Sequence, residues 1–228
     1  MFDPHTAALS RLEGSAYVRF SLLALSSIFF LVDPFAALPT FLAVTADQDA
    51  AKRRRTARKA SLTAFVILTG FGVAGTYIFR LFGITLPAFE ISGGIILLLI
   101  GLDMLEAKRS ATQESPDETQ AASSKDDVGI VPMGIPMLAG PGAITSVMVL
   151  VGQAQTHWQM AAIFGSITIT AAICYLVLGS ADRVARMLGE TGIRILVRIM
   201  GLLLVALAVQ YFVNGFVDLG VLNKPDGF

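Results

Sequence analysis

The chain has 228 residues, 54% of them hydrophobic and only 15% charged, with 17 basic and 17 acidic side chains. Soluble domains carry about a quarter charged residues and lack repeated apolar windows of roughly 18 or more, so these proportions exclude a soluble fold and indicate a membrane protein. Zero formal net charge points to no nucleic-acid partner, and one cysteine, Cys174, permits neither an internal disulfide nor a thiolate metal site.

The N-terminal stretch MFDPHTAALSRLEGSAYVRF lacks the short basic region and apolar core of a cleavable signal, so the first apolar window, 20–44, is expected to persist as a span. Asp33 lies about 13 residues into it, which at about 1.5 Å per residue is near the bilayer centre. A carboxylate at that depth requires pairing, hydrogen bonding or a proton, and it usually faces a cavity. Pro34 cannot donate to the preceding turn and suits the first position of a helix, while aspartate is a favoured N-cap. Asp33-Pro34 therefore predicts a broken span whose second half starts at Pro34, with Asp33 capping its N–H groups.

A basic loop with Lys52, Arg53, Arg54, Arg55, Arg58 and Lys59 precedes a second span, 60–79. The third, 87–105, is glycine-rich (Gly93, Gly94, Gly101), a pattern that favours close helix packing. Glu90 near its start and Asp103 near its end read as interfacial. A polar tether, 106–128, without aromatic residues, then separates two halves of one membrane domain, 1–228: about 20–105 and about 129–216.

The fourth span, 129–152, contains Pro132, Pro136 and Pro141, the last between Gly140 and Gly142. Here Gly140 is the expected N-cap and Pro141 the first helical residue, but glycine brings no side chain to the free N–H groups of Gly142 and Ala143. Thr145 and Ser146 follow, able either to donate to a ligand or to bond back to their own helix. Spans five and six fall at 158–180 and 195–216, and Gln210 and Asn214 share one face of the sixth. His5 and His157 lie outside the spans without metal-ligand partners, and no phosphate-binding loop occurs, so no metal or cofactor is implied.

The first loop, the tether (Lys108, Arg109, Lys125) and the fifth-to-sixth connection (Arg183, Arg186, Arg194, Arg198) hold thirteen basic residues; the opposite side holds four, Arg11, Arg19, Arg80 and Lys224. The positive-inside bias predicts both termini outside. The halves also align at a single offset of 107 residues. Asp33-Pro34 then meets Gly140-Pro141, Gly72 meets Gly179, Gly94 meets Gly201, Leu97 meets Leu204 and Asp103 meets Gln210. Three spans per half make the halves inverted, an arrangement common in secondary transporters.

FFLVDPFAALPTFLAVT in the first span, ISGGIILLLIGLDML in the third, VPMGIPMLAGPGAITSVMVL in the fourth and RIMGLLLVALAVQYFVNGF in the sixth together resemble the MarC family over about residues 20–216. The resemblance implies an integral protein of the bacterial inner membrane, related in architecture to lysine-exporter-type transporters, with archaeal relatives described as small neutral amino-acid transporters. For a single proline–glycine motif, a packing kink is the plainer reading. Two breaks at equivalent positions of inverted halves instead point to a transporter site. The expected site comprises Asp33, Pro34, Gly140, Pro141, Gly142, Ala143, Thr145 and Gln210, its partners being a small-molecule solute and membrane lipid. The expected function is secondary transport of a small polar solute rather than enzymatic catalysis, the alternative being a structural or regulatory membrane protein. Oligomeric state is not legible in the sequence.

Overall fold

The computed structural model describes residues 4–106, 129–131 and 133–223. The predicted tether at 106–128 lies outside the described residues except for Glu106. Every regular element among the described residues is helical: α1 (Pro4–Val32), α2 (Leu38–Val44), α3 (Ala50–Phe82), α4 (Leu86–Leu105), an irregular helical stretch Met133–Leu138, α5 (Pro141–Gln153), α6 (His157–Gly179) and α7 (Ala181–Asp218).

Among the described residues, α3, α4, α6 and α7 are long and apolar enough to cross a membrane, while Ala16–Val32 and Pro141–Gln153 are shorter apolar helices. The first and fourth predicted spans are therefore not continuous rods, and prolines explain why. A helix restarting at Pro34 would put Pro39 in its interior, where the ring strikes the carbonyl of Phe35. The helix instead restarts at Leu38, with Pro39 in its first turn. In the fourth span Ile135 is extended (φ −133°, ψ 127°), the conformation forced on a residue that precedes proline.

Local signals set the other boundaries. Asp49 caps α3 by accepting from the Lys52 N–H at 2.7 Å, and Gly83 ends it at φ 65°. Thr85 caps α4, and Thr156 with Gln159 forms a capping box at the start of α6. The sixth predicted span begins earlier than expected, because α7 includes an amphipathic segment from Ala181 that bends at Gly189 (φ 65°, ψ 173°).

Glycine brings α4 and α7 together. A β-carbon on Gly94 would lie 3.0 Å from the Ala208 carbonyl oxygen, and one on Gly101 would lie 3.0 Å from that of Gly201. One on Gly201 would lie equally close to the Gly101 carbonyl oxygen. At these points the helices meet backbone to backbone. The pairs obey the 107-residue offset: Gly94 with Ala208 maps onto Gly201 with Gly101.

The two ends of the bundle differ chemically. At one end Arg53 of α3 pairs with Asp182 of α7 and donates to the Thr45 carbonyl at 3.0 Å, while Gly129 packs on Thr56 and Lys59. At the other, Trp158 meets Tyr17 and Phe20 edge-on, with ring centroids 4.4 and 5.2 Å apart. Aromatic side chains of this kind suit a membrane–water interface.

Candidate functional site

The break after α1 is organised by one side chain. The Asp33 N–H completes α1 by donating to the Phe29 carbonyl at 3.0 Å. Its backbone then turns to φ 40°, the left-handed region where aspartate is among the few tolerated residues. Asp33 Oδ1 accepts from the Ala36 N–H at 3.0 Å, so the carboxylate caps the turn 34–37. This corrects the expected cap: Asp33 closes a turn ahead of α2, and α2 starts four residues later than Pro34.

Asp33 is 7% exposed, and its Oδ2 has no hydrogen-bond partner among the described residues. Beside it lies a cavity of about 30 Å³, lined by Leu31, Val32, Asp33, Ala36 and Ala37, with Met104, Met137 and Leu204 from beyond the first break. Both halves of the chain thus contribute walls. A water molecule needs roughly 10–15 Å³ on this measure, so the space suits a water or a small cation and excludes an amino acid.

The second break is made of backbone. Gly140 is the N-cap of α5 (φ −74°, ψ 169°) with no side-chain bond, and Pro141 is the first helical residue. The first-turn N–H groups of any helix lack intrahelical acceptors, and here the cap residue supplies none. A β-carbon on Gly142 would lie 2.7 Å from Leu97 and 3.7 Å from Leu31, so this turn packs against α4 and against the last turn before Asp33. Ala143 is fully buried. The two breaks are neighbours.

Thr145 does not point a free hydroxyl at a ligand. Its Oγ1 donates to the Pro141 carbonyl at 2.8 Å, while its methyl fills the space left by Gly93, where a β-carbon would lie only 2.1 Å away. Gln210 is not brought to the cavity. It is exposed on α7 and donates to Asn214, one turn along the same helix, at 2.8 Å. Among the described residues, no three His, Cys, Asp or Glu side chains gather as metal ligands.

Glu90, expected at the interface, lies one turn from the start of α4 and is fully buried within the bundle. It accepts from Gln153 Nε2 at 2.8 Å across the α4–α5 contact. The signal for this was available, since Glu90 and Gln153 both sit near the ends of apolar helices that finish on the same side. Sequence alone did not show that the two helices pack together there.

Residues 18–219 match the family model described as MarC family integral membrane protein. A UPF0056 membrane protein of Methanocaldococcus jannaschii is 41% identical over 87% of this chain and 96% of its own length. One of Aquifex aeolicus is 37% identical over 86% and 92%, and YhcE of Escherichia coli, also a UPF0056 membrane protein, is 34% identical over 86% and 92%. No solved structure matches the chain.

Proposed function

The chain belongs to the MarC family of integral membrane proteins, and from that premise we propose that it is a secondary transporter of a small polar solute, with a small neutral amino acid as the substrate. The observation that carries the reading is the buried Asp33 carboxylate, with one oxygen unpartnered among the described residues, on a cavity where two helix breaks adjoin. Broken helices at equivalent positions of two halves are the recurrent construction of transporter sites. The N-terminus of α5, with about half a positive charge and no cap side chain, favours a carboxylate, and Asp33 favours an ammonium group or a proton. A small zwitterion complements that pair.

The same reading arranges the chain as six spans in two inverted halves, and the reciprocal contacts between α4 and α7 at one offset support it. It puts the protein in the inner membrane with both termini outside, supported by basic connections that converge at one end of the bundle. Cys174 is fully buried, so new cysteines at Ser123 and near the C-terminus can be labelled against a quiet background. An impermeant maleimide on intact cells should label the C-terminal site and spare Ser123; the reverse pattern overturns the orientation. The reading assigns no catalytic role.

Because the cavity holds about one water, solute entry requires the turn 34–37 and the stretch Met133–Leu138 to separate. That small volume is also what a non-transporting structural or regulatory protein would have. Uptake of labelled alanine by proteoliposomes of the purified protein discriminates the two. Saturable uptake, competed by glycine and serine, supports transport, and its absence with every small amino acid removes this reading.

A further inference from the structure

At the end of the bundle that holds Trp158, α4, α5 and α7 enclose a second carboxyl group. Glu90 lies one turn into α4 with none of its surface exposed. Gln153, the last residue of α5, donates to its Oε1 at 2.8 Å, and its Oε2 has no partner among the described residues. The ion pair of Arg53 with Asp182 lies near the other end, and among the described residues no cation pairs with Glu90.

The titratable groups facing it come from α7. They are Asp218, another carboxylate, and Tyr211, which is buried and turned toward Ser146 of α5. From α5 come only Gln153, Thr145 and Ser146, none of them titratable. A buried carboxylate without a cation is among the most expensive groups a protein can hold, and a like charge nearby makes it worse. A proton on the unpartnered oxygen removes that charge without disturbing the bond from Gln153.

We propose that Glu90 is a proton-binding site, separate from Asp33, at the contact where the end of α5 meets α4. The step is a simple association: a proton from water bonds to Glu90 Oε2, and release returns it. Release leaves a charge that the bond from Gln153, strengthened by it, and admitted water must stabilise. Since α5 begins at the Gly140-Pro141 break, the site sits at the far end of the same rod.

Proton occupancy can be read without any solute, so the test is independent of the transport reading. The full chain in lipid nanodiscs is titrated from neutral to alkaline pH while infrared difference spectra are recorded. Wild-type protein should lose a carboxylic-acid C=O band and gain carboxylate bands. Glu90→Gln should remove one component of that change, and Asp33→Asn should keep that component. Gln153→Leu, which keeps Glu90 itself, should move the C=O band to higher frequency by removing its hydrogen bond, and this readout holds even where Glu90→Gln folds poorly. The proposal is overturned if Glu90→Gln retains the full band change, if Gln153→Leu leaves the frequency unmoved, or if sodium at constant pH replaces the proton in shifting the bands.

Discussion

The two breaks interrupt their helices by different chemistry. At Asp33 a side chain does the work: it takes a left-handed backbone, caps the following turn and keeps one oxygen for the cavity. At Gly140 there is no side chain, and the start of α5 is shaped by Pro141 and by close packing on Leu97. One break therefore carries an acidic side chain and the other is a bare helix terminus. Paired, they present opposite polarity to whatever lies between them.

The sharpest way to test that contrast is to replace the acid of the first break. Asp33→Asn keeps the oxygen that accepts from Ala36 and tolerates the left-handed backbone, so thermal unfolding should be nearly unchanged. Alanine uptake in proteoliposomes should fall about tenfold or more, since the acid removed is the one on the cavity between the breaks. Normal uptake by Asp33→Asn beside loss in Asp103→Asn would move the functional acid to the C-terminal end of α4.

Charging the bare break is the converse. Gly140→Asp supplies the missing cap but puts a carboxyl group at a buried position, so stability should fall by about 1–3 kcal/mol. Uptake per folded protein should fall severalfold, because the new carboxylate occupies the helix terminus. Undiminished uptake would show that this terminus meets no ligand.

A smaller effect is expected at the packing that supports α5. Gly93→Ala puts a methyl 2.1 Å from the Thr145 methyl carbon, and such overpacking costs roughly 1–3 kcal/mol. The thermal midpoint should drop accordingly. The least effect belongs to Gly165→Ala on α6, where nothing lies within 4 Å of the added carbon, and helix propensity alone gives a gain of up to about 1 kcal/mol. A drop at Gly165 as large as at Gly93 would remove the packing explanation.

Much of this molecule was legible because bilayer spans leave long apolar windows and because proline and glycine act locally. The residue before Pro136 and the N-cap before Pro141 follow from their immediate neighbours. The start of α2 depended on a second proline five residues away, and reading Pro34 without Pro39 misplaced it. The burial of Glu90 was not legible for a different reason: burial is a property of the helix pair, and neither α4 nor α5 alone records which neighbour it meets. Thr145 likewise had two available bonds, and the fit of its methyl over Gly93 goes with the one its hydroxyl makes.

The glycine contacts between α4 and α7 have a mechanical consequence. With a carbonyl oxygen 3.0 Å from where each β-carbon would stand, Gly94, Gly101 and Gly201 bring the two backbones together, and Phe212, Val205 and Met104 pack tightly over the same points. Such a seam has no slack; it can tilt as one piece or come apart, but it cannot slide by degrees. Any large motion of the protein must then hinge on this seam as a rigid axle. The turn 34–37, the kinked stretch before Gly140 and the short rod of α5 are the parts left free to swing around it.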